Sequence, residues 1–190
     1  GGLSVDSNGG NITDSGNVVV GGTTTIDAGG GNVALDNAGT DFSGQVNVVS
    51  VNNVAFNVAG SLDIFVIADG NGNVLSRGNL NAQLDLGGYG SVSSTGGSVN
   101  LDITSVGGDL NVTAQGSITQ TGSLTVAGDA TLTSKAGNVV LSLENDFGGD
   151  LTVRKPLPLQ VDDASVQNYQ PQLPVPLVEQ AMFNNPLGLP

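Results

Sequence analysis

The stretch "DGNGNV" at Asp69 to Val74 places oxygen-bearing side chains at alternating positions. Such spacing could begin a Ca²⁺ loop of the EF-hand type. That loop needs Gly at its sixth position and a bidentate Glu at its twelfth. Those positions hold Val74 and Leu80. The stretch therefore reads as a Gly/Asn turn between strands. "GGTTTIDAGGGNVALDN" also lacks the Gly-Gly-x-Gly-x-Asp nonapeptide of Ca²⁺-binding β-rolls. Asp162 and Asp163 form the one adjacent acidic pair. Consecutive residues of an extended chain point to opposite sides, so the two cannot converge on one bond. Asp85 and Asp102 could share a face of a stacked coil, as the acids of a β-helical carbohydrate-active enzyme would. Against that stand the absence of His, four Lys and Arg in all, and 4% aromatic residues. With neither His nor Cys, no Ser/His/Asp or Cys/His constellation can be built. No Gly-x4-Gly-Lys loop is present. The sequence thus predicts no catalytic residue, no metal site, no cofactor and no enzyme.

Composition narrows the partners. Over 190 residues the formal net charge is -13, and the basic residues are Arg77, Lys135, Arg154 and Lys155. Nothing here could neutralise a run of phosphates, which argues against nucleic acid and anionic lipid. No window is long and apolar enough to insert into a membrane. Hydrophobic residues reach 38% while aromatics are scarce, so a core must come from Val, Leu, Ile and Ala. Thirty glycines without a triplet rule exclude collagen and call for many tight corners. The opening "GGLSVDSNGG" has no basic start and no apolar run, so the expectation is either an intracellular protein or, the favoured reading, a mature or excised piece.

All seven prolines lie at or after Pro156. This divides the chain into a body at 1–155 and a Pro-rich tail at 156–190. The Pro-free body suits paired strands, because Pro removes a ladder donor. Within it one phrase recurs: Gly, a polar residue, then apolar, any, apolar. It stands at Gly60, Gly97, Gly108, Gly122, Gly128 and Gly149. Each copy is a short period-two strand opened by a Gly corner. A longer repeat embraces it. "ITDSGNVVVGGTTTIDAGGGNVALDNAGTDFSGQVNV" from Ile12 aligns with "ITQTGSLTVAGDATLTSKAGNVVLSLENDFGGDLTV" from Ile118 with a single one-residue gap. Gly16 matches Gly122, Gly31-Asn32-Val33 matches Gly137-Asn138-Val139, and Asp41-Phe42 matches Asp146-Phe147. No room exists for crossover helices. The pattern predicts an all-β solenoid whose turns stack and bury a continuous core, with Asn and Thr forming polar ladders at the corners. Phe42 and Phe147 are expected in that core, as are Phe56 and Phe65.

The motifs I-T-Q-T-G, G-N-V and N-D-F-G-G at 118–149 carry a family resemblance. This repeat resembles those of filamentous-haemagglutinin-like exoproteins, bacterial surface adhesins exported by two-partner secretion. It covers 116–153 closely and 12–48 less closely, and it does not reach the tail. The resemblance implies a right-handed parallel β-helix shaft without catalytic residues. It also implies an outer-membrane transporter as partner of the longer precursor, and an extracellular or outer-surface location. The sequence includes no counterpart of that family's amino-terminal secretion domain, so the expectation is an internal or terminal fragment of a longer precursor.

The expected function is a structural shaft segment of a secreted or cell-surface filamentous adhesin, with a β-helical carbohydrate-active enzyme or glycan-binding module as the rival. A host or cell-surface ligand is an expected partner. The tail mixes Pro with apolar residues and is expected to lie extended along a β-helix, its own or a neighbour's. Leu157, Leu159, Val161, Leu173, Val175, Leu177, Val178, Met182 and Phe183 are its expected anchors. Docking on a neighbour would join copies end to end into a homo-oligomeric filament.

Overall fold

A computed structural model describes residues 1–155 and 161–163, and these are all-β with no helix. Every strand pair among them is parallel. The chain winds as a β-solenoid with two sheets, here faces A and B. Face A stacks Leu3–Asp6, Thr24–Asp27, Val46–Val51, Leu62–Ala68, Leu80–Leu86, Val99–Val106, Ile118–Gln120, Val139–Leu141 and Val161–Asp163 in that order. Leu124–Val126 and Asp146–Phe147 continue its upper rungs. Face B stacks Ile12–Thr13, Val33–Phe42, Val54–Val58, Gly72–Ser76, Gly90–Ser94, Leu110–Ala114, Ala130–Ser134 and Leu151–Arg154. Val19–Val20 joins it beside Val33–Phe42. Eight steps along face A, at about 4.8 Å each, make a rod of about 38 Å.

The Gly-polar-apolar phrase has a physical reason. At one corner Asn11 Oδ1 accepts from the Asn32 N–H (2.9 Å), Asn32 Oδ1 from Asn53 N–H (3.1 Å), and Asn53 Oδ1 from Asn71 N–H (2.8 Å). At the other corner Ser61 Oγ accepts from Asn79 N–H (3.0 Å), Asn79 Oδ1 from Ser98 N–H (2.9 Å), and Ser98 Oγ from Ser117 N–H (3.0 Å). Each polar residue thus satisfies a backbone donor that the turn would otherwise leave unpaired. The residue before it must leave space for the oxygen below. A Cβ on Gly97 would sit 2.5 Å from Asn79 Oδ1, and one on Gly116 2.5 Å from Ser98 Oγ. Glycine is required by this close approach and not by backbone conformation. The corner ladder residues are Asn, Ser and Asp; Thr joins the polar stack on face A instead, where Thr119 and Thr121 bond Asn100 of the rung below. Asn and Ser hold their oxygen on a short unbranched stem, whereas Thr adds a methyl group at Cβ.

Inside, the alternating apolar residues align in columns. Leu62, Leu80, Val99, Ile118 and Val139 stack in register on face A, and all are buried. Val74, Val92, Val112 and Leu132 do so on face B. Buried serines end the face-B strands. Ser76 Oγ donates to Gly60 O (2.7 Å), Ser94 Oγ to Gly78 O (2.6 Å), and Ser134 Oγ to Gly116 O (2.8 Å). Phe42 and Phe56 are core residues with ring centroids 5.9 Å apart, and Phe147 is buried as expected. Phe65 departs from expectation: it lies half-buried on the outer side of face A. Leu62–Ala68 alternates strictly from a buried Leu62, which turns Phe65 and Ile67 outward.

Turn length varies. Ladder partners are 21 residues apart at Asn11/Asn32, 18 at Asn53/Asn71 and 21 at Ser117/Asn138. The 18-residue rungs have unbroken strands such as Leu62–Ala68 and Leu80–Leu86. The longer ones interrupt a strand. Val99–Val106 carries a bulge, and above it the strand splits into Ile118–Gln120 and Leu124–Val126. Of the expected tail anchors, Leu157, Leu159, Leu173, Val175, Leu177, Val178, Met182 and Phe183 lie outside the described residues. Val161 begins the strand Val161–Asp163, whose backbone pairs in parallel with Val139–Leu141 of the same chain.

Candidate functional site

The residues singled out for chemistry do not assemble. Asp85 is exposed on face A and stands in register with Ile67 below and Ser105 above. Asp102 sits at the bulge of the next rung, where its Oδ1 accepts from Ile103 N–H (2.9 Å) and Thr104 Oγ donates to its carbonyl (2.8 Å). Its role there is to hold the bulge, because the extra residue leaves backbone groups off the ladder. Asp69 ends one turn and Asn71 takes the corner, so "DGNGNV" is a corner followed by the strand Gly72–Ser76. Among the described residues no three acidic side chains gather as metal ligands. Among them no helix is long and apolar enough to cross a membrane.

Two surfaces have structure of their own. On face A an exposed chain of amides runs along the axis. Asn81 Nδ2 donates to Asp63 Oδ1 (3.2 Å), Asn100 Nδ2 to Asn81 Oδ1 (2.7 Å), and Thr119 Oγ1 to Asn100 Oδ1 (3.1 Å). It borders an open groove of about 590 Å³ lined also by Gln45, Ser61, Asn79 and Ser98. At the face-B corner a trench of about 400 Å³ runs beside the asparagine ladder. Asn32, Asn53 and Asn71 line it beside the column Ala34, Ala55 and Asn73, with Tyr89 one rung above Asn71. Tyr89 receives the ladder bond, its N–H donating to Asn71 Oδ1 (3.0 Å), but has no corner oxygen to pass on to Asp109. The ladder resumes one rung higher, where Asp109 Oδ1 accepts from Asp129 N–H (2.9 Å) and Asp129 Oδ1 from Asp150 N–H (2.9 Å).

A third arrangement lies inside. Gln120 and Asn145, both buried, face each other across a rung. Gln120 Nε2 donates to Asn145 Oδ1 (2.9 Å) and to Gly122 O (2.9 Å). Asn145 Nδ2 donates to Gln120 Oε1 (3.1 Å) and Leu143 O (2.9 Å), while Asn145 Oδ1 also accepts from Leu124 N–H (2.9 Å). This amide clasp closes the gap where the strand splits and satisfies polar groups that burial would otherwise leave unpaired. Sequence reasoning found these residues only as letters in I-T-Q-T-G and N-D-F-G-G. Tyr89 was missed, although its signal was available: it follows Gly88 where the phrase asks for a short polar residue.

A family of repeats of unknown function, DUF5649, matches residues 1–49 and 87–154. The chain belongs to the DUF5649 family. The stretch between the two DUF5649 matches contains the unbroken strands Leu62–Ala68 and Leu80–Leu86 of the 18-residue rungs. The matched stretches contain the Asp109, Asp129 and Asp150 corners, the split strands and the amide clasp. No curated protein matches the chain, and no solved structure does.

Proposed function

We propose that this DUF5649 chain is a structural shaft segment of a bacterial secreted or cell-surface filamentous adhesin. The observation that carries the reading is that nearly every rung of the described residues is used in stacking. Corner side chains and buried serines close one rung onto the next, and the carboxylates first suspected of chemistry hold a bulge or face solvent apart. The resemblance of the 118–153 motifs to filamentous-haemagglutinin-like repeats supports export through an outer-membrane transporter. Protease shaving of intact producing cells tests the reading. A shaft is released or cleaved from living cells, and deleting the gene lowers their adhesion. Recovery solely from the cytoplasm would sink it.

A further inference from the structure

The face-B corner obeys one rule from Asn11 to Asp150 and breaks it once. Its residues are Asn11, Asn32, Asn53, Asn71, Tyr89, Asp109, Asp129 and Asp150, each one turn above the last. Seven carry a carboxamide or carboxylate oxygen. Tyr89 alone does not. The exception interrupts the ladder and forgoes one hydrogen bond. It also leaves a large ring 50% exposed. Departures of that kind in a locally consistent sequence concentrate at functional sites.

The surroundings say what the ring would meet. The trench beside it is lined by Asn32, Asn53, Asn71 and Asn73, and by the small Ala34 and Ala55. None of these side chains is charged. Asn32 Nδ2 gives one hydrogen bond to Asn11 Oδ1 and Asn53 Nδ2 one to Asn32 Oδ1. Each amide nitrogen has two hydrogens, so one donor on each remains for a ligand. Amides donate and accept alike, which suits hydroxyl groups. An acidic ligand finds no such welcome: the net charge is -13, and no residue lining the trench is basic. The trench follows the axis over the three steps from Asn32 to Tyr89, about 14 Å at ~4.8 Å per rung. A half-exposed aromatic ring beside a row of amides and two small alanines complements a sugar ring. Its C–H face lies on the aromatic and its hydroxyls reach the amides.

We propose that this trench binds a short run of neutral sugar rings laid along the solenoid axis, with Tyr89 stacking on the terminal ring. The site goes beyond the shaft reading and does not depend on where the protein resides. Calorimetric titration of the full chain tests it, using the hexasaccharides of β-1,4-glucan, β-1,4-mannan and α-1,4-glucan, and oligogalacturonate as an acidic comparator. At least one neutral hexasaccharide binds with Kd below about 1 mM. Tyr89→Ala weakens it at least about tenfold, and Tyr89→Phe retains it. Tyr89→Asn separates binding from structure: it abolishes the stacking yet raises the urea midpoint, because it restores the missing ladder oxygen. The proposal is overturned if no neutral hexasaccharide binds, if only the acidic one does, or if Tyr89→Asn and Tyr89→Ala bind like the parent.

Discussion

The repeat at 12–48 and the repeat at 118–153 share a sequence and a register but occupy opposite faces. In the first copy Ile12 pairs with Val33 and Val20 with Phe42; in the second Ile118 pairs with Val139 and Val126 with Phe147. These are equivalent positions. Yet Ile12 lies on face B and Ile118 on face A, and Thr24–Asp27 and Ala130–Ser134 are exchanged in the same way. The copies are half a turn out of phase. A phrase of this kind therefore specifies a corner, a strand and their neighbours above, and leaves the face to the count of residues between. The copies also differ in how they bridge the split strand. Where the second has the Gln120–Asn145 clasp, the first has Asp14 and Thr40. Thr40 Oγ1 donates to Asp14 Oδ2 (3.2 Å) and accepts from Val18 N–H (3.2 Å). Asp14 Oδ1 is buried without a partner.

The sharpest test uses a glycine common to both. A Cβ on Gly122 would collide with Ile103 N and Asp102 of the rung below, whereas one on Gly16 meets nothing, since no rung of the described chain lies beneath it. Gly122→Ala is expected to cost about 3 kcal/mol, as overpacking against backbone does. Gly16→Ala should stay within about 0.5 kcal/mol. Urea unfolding measures both, and equal losses would refute the role given to the rung below.

Next comes the clasp. Asn145→Ala leaves Gln120 Oε1 and the Leu124 N–H without partners in a buried place, while Gln120 Nε2 keeps Gly122 O, an expected loss of about 2–3 kcal/mol. Thr40→Val removes one acceptor from the half-buried Val18 N–H and should cost about 1 kcal/mol. A first copy as sensitive as the second would mean that the clasp adds nothing. Asp14→Gln together with Thr40→Asn should transplant the clasp. The pair is expected to stabilise by about 1 kcal/mol more than the sum of the single changes, because the residues are in contact. Strict additivity in a double-mutant cycle would break the equivalence of the two copies. The smallest effect belongs to the stretch between them. Asp85→Asn and Asp102→Asn should each move stability by no more than about 0.5 kcal/mol. Turnover of a polyuronide that disappeared in the double substitution would restore the enzymatic reading.

The coil itself was legible because its cause is local. Alternation in "SLTV" or "DATL" fixes which side chains enter the core, and the Gly before each phrase marks the corner. Phe42 and Phe147 were readable as core from their matched positions. The half-turn shift was not readable. It depends on rungs of 18 to 21 residues accumulating between the copies, and no single phrase carries that sum. The clasp was hidden for the same reason: Gln120 and Asn145 are 25 residues apart, and only the split strand brings them together. Phe65 misled because "LDIFVIA" is apolar on both sides, so hydrophobicity alone could not tell inward from outward. Tyr89 escaped notice because one exception stands out only once the ladder it interrupts is known.

The half-turn offset bears on how such a gene can grow. If a repeat could sit on one face only, duplication would have to copy whole turns, and any other junction would throw the apolar column into solvent. Here the same phrase closes a corner from either side and hands the chain to whichever face follows. A crossover between misaligned copies can therefore add or remove half a turn and still leave every new rung with a template to stack upon. The genetic unit of lengthening is one corner with its strand, and rods of graded length are open to a lineage by recombination alone.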